Sequence, residues 1–454
     1  MYDARQRLEL AEELADAFLA GSWQAEALAE RAAGCLDRRP GWLDALAFAA
    51  VAMERVAPLR RRGELVQLIC ALLRDRPATA ADVDPPQILR HLGPQVQRPP
   101  VPDWPVVAID SVADLAERLE LSDGQLAWLA DARGWERTVE HDKLRNYRYR
   151  WVSRRRGLPR LIEAPKARLK EIHRWLLREL LDHVPPHDAA HGFTRGRSVR
   201  THATIHTGQR VVLRLDLRDF FASISAGRIY GTFSALGYAP SVAHVLTALC
   251  TNSTPVAVWN RLGSPSDPGL VQRHFWLGRQ LATPHLPQGA PTSPALANLA
   301  AFGLDRRLHG LSDRAGLRYS RYADDLTFSG MSLTYARRPG FVELVSQIAA
   351  AEGFRLHLEK SILRTASQRQ IVTGVVVNAT PNAPRAEYDL LKAILHRLAI
   401  DGVVAADIDG PVDLQAHLRG RVAWITSLNP RRSDKLNRLL DAIDWEPPES
   451  GEPR

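Results

Sequence analysis

The fold is decided by a short stretch that reads Tyr319-Ser320-Arg321-Tyr322-Ala323-Asp324-Asp325-Leu326-Thr327-Phe328. Apolar and polar residues alternate on both sides of Ala323-Asp324, which predicts two strands joined by a tight turn. Adjacent carboxylates at the tip of a hairpin repel each other unless a cation lies between them. A solvated turn would also tolerate the pair. Taken alone, the stretch therefore indicates a metal site with only moderate weight.

Another carboxylate is carried by the stretch Val211-Val212-Leu213-Arg214-Leu215-Asp216-Leu217-Arg218-Asp219-Phe220-Phe221. Its apolar run predicts a strand that ends at Asp216, where the chain turns. Many strands end in an aspartate that only caps the following helix, so this motif is weak by itself.

A polar loop lies between the two acidic motifs and reads Leu286-Pro287-Gln288-Gly289-Ala290-Pro291-Thr292-Ser293-Pro294. Gln288 and Gly289 would place amide and backbone donors before a helix that we predict from Ala295. A nucleotide or a template could bind there, although a purely structural loop explains the stretch nearly as well.

Together the three motifs meet the needs of two-metal phosphoryl transfer, in which a primer 3′-hydroxyl is activated and a pyrophosphate leaves. Mg²⁺ prefers oxygen ligands and keeps several waters, so two or three carboxylates suffice. We therefore expect Asp216, Asp324 and Asp325 to be catalytic and to hold two Mg²⁺ ions per active site.

Positive charge is concentrated in one segment of the chain. The whole chain has a formal net charge of +9, whereas residues 143–200 hold 16 Lys plus Arg against 5 Asp plus Glu, a surplus of +11. Such an excess is typical of a surface that binds a phosphate backbone, although a solvated basic face is the simpler explanation. Because the segment leads into the Asp216 strand, we predict RNA contacts by Arg154, Arg155 and Arg156.

The chain is long enough, at 454 residues, for two or three domains. Residues 1–105 are predicted to form a helical extension that ends in a Pro-rich linker, and one helical face holds Leu65, Leu68, Ile69, Leu72 and Leu73. Residues 1–100 are almost neutral, with 13 Lys plus Arg against 14 Asp plus Glu. Two short helices are predicted to begin at Ser111 and Ser122, and apolar strands, among them one at 371–378, alternate with helical stretches. This pattern over 106–378 predicts an α+β domain, and residues 379–454 are mainly helical.

Composition excludes several classes of protein. The sequence contains no run of about 18 apolar residues, so we predict no membrane span. The N-terminus does not resemble a secretory signal. Only Cys35, Cys70 and Cys250 occur, which suits neither a disulfide framework nor a zinc site. We expect a cytoplasmic protein without a membrane partner.

Further motifs follow in order: Leu158 to Pro165, His191-Gly192-Phe193, Arg197-Ser198-Val199, His202 to His206, Gly353-Phe354, Leu358-Glu359-Lys360, Val372-Thr373-Gly374 and Arg419 to Trp424. With the three motifs above, they resemble the bacterial reverse transcriptases of the retron type over roughly residues 110–440. The resemblance implies an RNA-directed DNA polymerase with a right-hand fold. Fingers and palm would occupy residues 106–378, and a helical thumb would occupy residues 379–454. An all-α N-terminal extension would precede them in the chain.

The resemblance also implies roles for single residues. Arg160 would contact the incoming triphosphate, Lys360 would lie near its phosphates, and Gln288 would belong to the same nucleotide site. Phe221 would exclude a 2′-hydroxyl as a sugar gate, although Phe220 could exchange roles with it. The RNA-binding set would include residues of two motifs that are typical of retron enzymes: His206, Thr373 and Gly374. His202 stands where the family has Asn.

A retron enzyme implies a structured non-coding RNA as template, deoxynucleoside triphosphates as substrates, and an RNA-linked single-stranded DNA as product. It also implies anti-phage defence with a separate effector protein. One alternative is a bacterial defence reverse transcriptase without a branched product. Another is an RNA-binding scaffold with a decayed active site. Residues 251–285 resemble an insertion before the Gln-Gly loop.

Overall fold

The computed structural model describes residues 2–20, 23–53, 62–75, 85–89, 104–131, 134–154, 157–331, 338–401 and 413–445. The chain forms two compact units, one of Met1–Pro185 with Phe221–Ala300 and the other of Pro186–Phe220 with Ala301–Arg454. Both units combine helices with strands, in agreement with the predicted α+β class. Within the described ranges, no helix combines the length and apolar character that a bilayer span requires.

The N-terminal region consists of the helices α1 (Ala4–Leu19), α2 (Ala25–Ala33), α3 (Leu43–Met53) and α4 (Arg62–Asp75). A capping box starts α1, because Asp3 accepts a hydrogen bond from the Gln6 backbone and the Gln6 side chain accepts one from the Asp3 backbone. The predicted apolar face lies in α4. It contributes to a hydrophobic core whose members all lie between Tyr2 and Ile88.

The next elements are α5 (Val112–Arg118), α6 (Asp123–Ala130), β1 (Tyr147–Val152), β2 (Arg160–Pro165), α7 (Ala167–Glu179), α8 (Val199–Ile205) and β3 (Val211–Asp216). The predicted helix starts at Ser111 and Ser122 are confirmed. Each serine hydroxyl accepts a hydrogen bond from the backbone N–H three residues later. The predicted strand that ends in Asp216 is also confirmed.

The middle of the chain holds α9 (Ala226–Ala235), α10 (Pro240–Cys250), α11 (Val256–Asn260), α12 (Val271–Leu281), α13 (Ser293–Ala300), α14 (Phe302–Arg314), β4 (Leu317–Tyr322) and β5 (Asp325–Gly330). The predicted hairpin is confirmed, since β4 and β5 pair as antiparallel strands around Ala323-Asp324. The helix predicted from Ala295 begins at Ser293.

The last elements are α15 (Arg338–Ala351), β6 (Ile362–Thr365), β7 (Ile371–Val372), β8 (Val375–Val376), α16 (Arg385–Asp401), α17 (Leu414–Leu428) and α18 (Ser433–Asp441). The single strand expected at 371–378 is instead a hairpin. Its two-residue turn is Thr373-Gly374, with φ values of 44° and 86°. Helices α16 to α18 and this hairpin share one hydrophobic core.

The central sheet has the strand order β4-β5-β3-β6, and all neighbours are antiparallel. Side chains alternate between the two faces of a strand, so Val212, Arg214 and Asp216 share one face. We call this side the Asp216 face. Helix α14 packs on the opposite face, where its Asp305 binds Tyr319 and Arg321 of β4.

Candidate active site

Asp216 and Asp325 lie opposite each other at the ends of neighbouring strands. They are direct register partners in the β3–β5 pair, and such partners have Cβ atoms about 4.5–5.5 Å apart. The Leu217 N–H donates a hydrogen bond of 2.9 Å to the Asp324 carbonyl, which ties the turn to the end of β3. The side chains of Asp216 and Asp325 are 22% and 24% exposed. The strand pairing therefore brings the three predicted carboxylates to one end of the sheet.

The turn between these carboxylates is held in an unfavourable backbone conformation. Ala323 has a φ of 56°, a region that costs a residue with a Cβ atom about 1–2 kcal/mol. Buried Arg321 donates from Nη1 to the Ala323 carbonyl at 3.0 Å and pairs with Asp305 at 2.6 Å. Gly192 packs against the turn so closely that a Cβ there would lie 2.7 Å from the Ala323 nitrogen.

Two basic side chains balance the carboxylates. Arg214 Nη2 donates to both carboxylate oxygens of Asp325, at 3.0 and 2.9 Å. Lys360 Nζ lies 3.4 Å from Asp216 Oδ1. Burial raises the pKa of Asp325, and Asp216 adds to this effect, whereas Arg214 and Lys360 oppose it. The site thus concentrates negative charge that neighbouring cations stabilise.

The carboxylates fit Mg²⁺ by chemistry, because they offer hard oxygen ligands on adjacent strands. In the part of the chain that the structure describes, no three His, Cys, Asp or Glu side chains converge as a ready-made metal site. The oxygens of Asp325 are engaged by Arg214. The ligand set predicted from the sequence is therefore not already gathered among the described residues.

Three histidines lie close to the β4–β5 hairpin. The ring centroids of His191 and His206 are 5.7 and 5.6 Å from that of His202, and the Tyr322 ring is 5.7 Å from it. Burial lowers the pKa of His191 to about 4 and that of His202 to about 3, and it also lowers the pKa of His206. All three are therefore neutral at pH 7 and belong to the packed interior.

The burial of His206 argues against its predicted RNA contact. The side chain is 0% exposed, and its ring nitrogens lie 2.7 Å from the hydroxyls of Ser329 and Ser320. Both ring nitrogens are thus used to hold β4 and β5. In contrast, Thr373 and Gly374 lie in an accessible turn, and Thr373 Oγ1 is 3.3 Å from His202 Nδ1.

The predicted triphosphate ligand Arg160 begins β2 in the first unit and is exposed. The register pairs Arg160 with Val152, and it places Arg148 and Arg150 on the same exposed face of the β1–β2 hairpin. Arg154 follows β1 and is half-buried. The other two predicted members of the basic patch, Arg155 and Arg156, lie outside the described residues.

The Gln-Gly loop is attached to the same hairpin. The Glu163 N–H donates a hydrogen bond to the Gln288 carbonyl at 2.9 Å. Gly289 has a φ of 133°, and a Cβ added to it would lie only 3.0 Å from the Glu163 carbonyl oxygen. The buried Glu163 carboxylate accepts hydrogen bonds from Asn252 and Thr254 and pairs with His285 at 2.8 Å. The loop position of Gln288 is therefore set by β2.

Phe220 and Phe221 have different surroundings. Phe220 is 4% exposed and packs on Phe354, with ring centroids 5.6 Å apart. Phe221 is half-buried, and its carbonyl accepts a hydrogen bond from Ile224. Phe220 is thus the core aromatic, which leaves Phe221 as the better candidate for a sugar gate.

Comparison with known proteins identifies the family. Residues 152–377 match the family model described as reverse transcriptase (RNA-dependent DNA polymerase). The chain is 37% identical over 390 residues to the retron Mx65 reverse transcriptase of Myxococcus xanthus, which covers 85% of this chain and 82% of that protein. This chain belongs to the retron-type reverse transcriptases.

Two further relatives agree with this assignment of the retron-type reverse transcriptase. This chain is 37% identical over 347 residues to the retron Mx162 reverse transcriptase of Myxococcus xanthus, and the match covers 74% of this chain and 67% of that protein. This chain is also 29% identical over 286 residues to the retron Ec86 reverse transcriptase of Escherichia coli, and that match covers 63% of this chain and 77% of that protein. The enzyme is an RNA-directed DNA polymerase of the reverse transcriptase fold, as the sequence predicted.

The structure adds residues that the motifs did not single out. Arg214 lies two positions before Asp216 and so shares its face, a relation that the strand period could have revealed. Arg148 and Arg150 alternate within β1 in the same way. The Glu163–His285 pair joins distant segments of the chain, and no local pattern could have revealed it.

Proposed function

We propose that the retron-type reverse transcriptase copies part of a dedicated structured non-coding RNA into single-stranded DNA that stays linked to RNA. The observation that carries the catalytic part is the direct pairing of Asp216 with Asp325 in a chain of this family. The alternative of a decayed scaffold is disfavoured, because the carboxylates and their basic partners are all present.

In this proposal Asp216, Asp324 and Asp325 hold two Mg²⁺ ions. When bound, such ions lower the pKa of a primer 3′-hydroxyl and neutralise the leaving pyrophosphate. Lys360, which already lies beside Asp216, would then turn toward the phosphates of the nucleotide. Arg214 would hold the Asp325 carboxylate in a fixed orientation from the side away from the turn.

Three further residues are proposed to contact the nucleotide. Arg160 would bind the triphosphate, because a guanidinium offers paired donors that match phosphate oxygens. Gln288 would contact the nucleotide from its loop. Phe221 would exclude a 2′-hydroxyl by steric conflict.

The RNA would be held by the basic patch and by an accessible turn. The patch comprises Arg154, Arg155 and Arg156, to which we add Arg148 and Arg150 because they share the exposed face of Arg160. Phosphate contacts of this kind make binding depend strongly on salt. The Thr373-Gly374 turn would contribute backbone and hydroxyl contacts.

A biological role follows from the retron family. We propose that the RNA-linked DNA serves anti-phage defence together with a separate effector protein. A defence reverse transcriptase without a branched product is the second candidate, and the nature of the nucleic acid product separates the two.

The catalytic assignment is tested by changing one carboxylate at a time. Asp216→Asn, Asp324→Asn and Asp325→Asn should each abolish Mg²⁺-dependent DNA synthesis on a primed RNA template, because a neutral amide cannot offset the charge of the ions. Circular dichroism should show an unchanged fold. Glu359→Gln removes one carboxylate beside Lys360, where its side chain is 82% exposed, and should retain activity. Synthesis by Asp324→Asn at the wild-type rate would refute the mechanism.

The product is tested by sequencing the nucleic acid that copurifies with the protein from its native host. A single RNA species joined covalently to DNA that is complementary to part of it supports the retron product. DNA without an RNA linkage would instead support the second candidate.

A further inference from the structure

A cavity of about 390 Å³ opens beside the edge of the central sheet in the second unit. Its walls come from β3, from β6 and from the segment that leads into β7. The lining residues are Val212, Arg214, Ile362, Arg364, Gln368, Arg369 and Ile371. None of the proposed catalytic or RNA-contacting residues is among them.

The register of the sheet places this cavity on the Asp216 face. Val212 pairs with Arg364, and Arg214 pairs with Ile362, so these side chains point to the same side as Asp216. Residues two and four positions before Asp216 lie roughly 7 and 13 Å from it along the strand. The cavity is therefore within one or two nucleotides of the carboxylates.

The cavity wall is strongly basic. It contains three arginines, and the described residues supply no carboxylate to the wall itself. Arg214 is paired with Asp325, but its Nε has no hydrogen-bond partner within the described part of the chain. Arg364 and Arg369 are exposed, and no ion pair with another described residue is found for either. Guanidinium groups that line the same cavity repel each other, and an anion in the cavity would relieve the repulsion.

We propose that this cavity binds a phosphate group, and specifically a backbone phosphate of the nucleic acid strand whose end lies at the carboxylates. Arg364 and Arg369 would supply paired N–H donors to the phosphate oxygens. The apolar side chains of Ile362, which is exposed, and Ile371, which is half-buried, would pack against the adjacent sugar. The site would hold the strand in register with the active site.

This proposal requires the nucleic acid substrate of the enzyme, and it does not require the metal mechanism. Its test is therefore a binding measurement, which stays informative if the proposed chemistry fails. The double variant Arg364→Gln/Arg369→Gln is compared with Arg306→Gln/Arg314→Gln. The control pair is also exposed and removes the same charge, but it lies on α14, which packs on the opposite face of the sheet.

Fluorescence anisotropy would measure the affinity of each full-length variant for a primed RNA template over a salt series. We expect the cavity variant to bind roughly tenfold more weakly than the control variant. Its salt slope should fall by about 0.7 to 0.9 for each phosphate that the variant no longer neutralises. Equal affinity and equal slope in the two variants would overturn the proposal.

A second measurement distinguishes a strand phosphate from a free phosphate ion. Thermal stability of each variant is recorded with inorganic phosphate and with chloride at equal ionic strength. Stabilisation by phosphate that disappears only in the cavity variant, without a change in affinity for the template, would assign the site to the free ion and overturn the strand assignment. Weaker template binding in the cavity variant alone supports it.

Discussion

Gly192 shows how one missing side chain can set the geometry of an active site. A Cβ at this position would lie 2.7 Å from the Ala323 nitrogen and 3.2 Å from the Tyr322 carbonyl carbon. Both of these atoms belong to backbone, so neither can rotate away. The turn between β4 and β5 would have to move by several tenths of an ångström.

We predict that Gly192→Ala lowers the rate of DNA synthesis by up to roughly 100-fold, since a displacement of about 1 Å at a reacting centre has that effect and the shift expected here is smaller. Steady-state kinetics on a primed template would measure it. Gly310→Ala is the matched control, because a Cβ there meets nothing within 4 Å. That variant should retain activity and gain up to about 1 kcal/mol in helix stability. Equal activity of the two variants would show that the close contact is not needed.

Phe221 carries a second prediction at this scale. Replacing its ring by the methyl group of Phe221→Ala should raise ribonucleotide incorporation relative to deoxynucleotide incorporation, roughly tenfold or more, because the steric conflict with a 2′-hydroxyl is removed. Primer extension with each nucleotide type measures the ratio. Phe221→Tyr keeps the bulk and should keep the discrimination. An unchanged ratio in Phe221→Ala with normal activity would exclude the gate.

At the scale of elements, residues 251–285 connect α10 to the Gln-Gly loop and pack against the segment that contains β2. The two ends of this segment are joined by backbone hydrogen bonds between Asn252 and His285. Side chains of α11 and α12 pack on Leu158 and Leu161, and Trp151 Nε1 donates to the Val258 carbonyl. The segment that resembles an insertion in the sequence thus forms part of the support for β2.

The Glu163–His285 pair in this support should make stability depend on pH. Burial alone would lower the pKa of His285, but the adjacent Glu163 carboxylate raises it above 6.5 overall. Protonated His285 is therefore favoured in the folded chain. Its contribution is complete below about pH 6.5 and is lost as the pH rises through the raised value.

Urea unfolding followed by the fluorescence of nearby Trp151 and Trp259 measures this effect between about pH 6 and 9. The free-energy difference between wild type and His285→Gln should shrink as the pH rises. Glu163→Gln removes the charged partner and should cost roughly 3 kcal/mol or more near pH 6. A His285→Gln variant with the wild-type pH profile would contradict the assignment.

At the scale of the whole molecule, the N-terminal helices have a core of their own. Its buried members lie between Tyr2 and Leu73, and the near-neutral charge of residues 1–100 makes them a poor phosphate binder. Apolar helical faces are better suited to contacts with protein. We propose that residues 1–105 form a separable module for a partner, and support of the fingers is the competing explanation.

A chain that begins at Val106 should therefore retain basal polymerisation on a generic primed RNA template and lose the cellular defence phenotype. Primer extension measures the first result, and phage plaque counts measure the second. The full-length chain is the control in both assays. Soluble truncated protein without polymerase activity would favour support of the fingers instead.

The family and the fold class follow from the amino-acid sequence alone, and the same motifs nominate three carboxylates as catalytic candidates. Each of these depends on local order: an apolar run that ends at Asp216, alternation around Ala323-Asp324, and motifs in a fixed succession. Strand and turn preferences act over a few residues, so a linear pattern contains them. The helix caps at Ser111 and Ser122 were predictable for the same reason.

Only the tertiary structure decided which distant groups meet. His206 belongs to a motif, yet its burial between Ser320 and Ser329 gives it a supporting position in the interior. Arg214 is paired with Asp325, and Glu163 with His285, across more than 100 positions of sequence. Such contacts depend on strand order and register, which are set by the packing of the whole sheet and not by neighbouring residues.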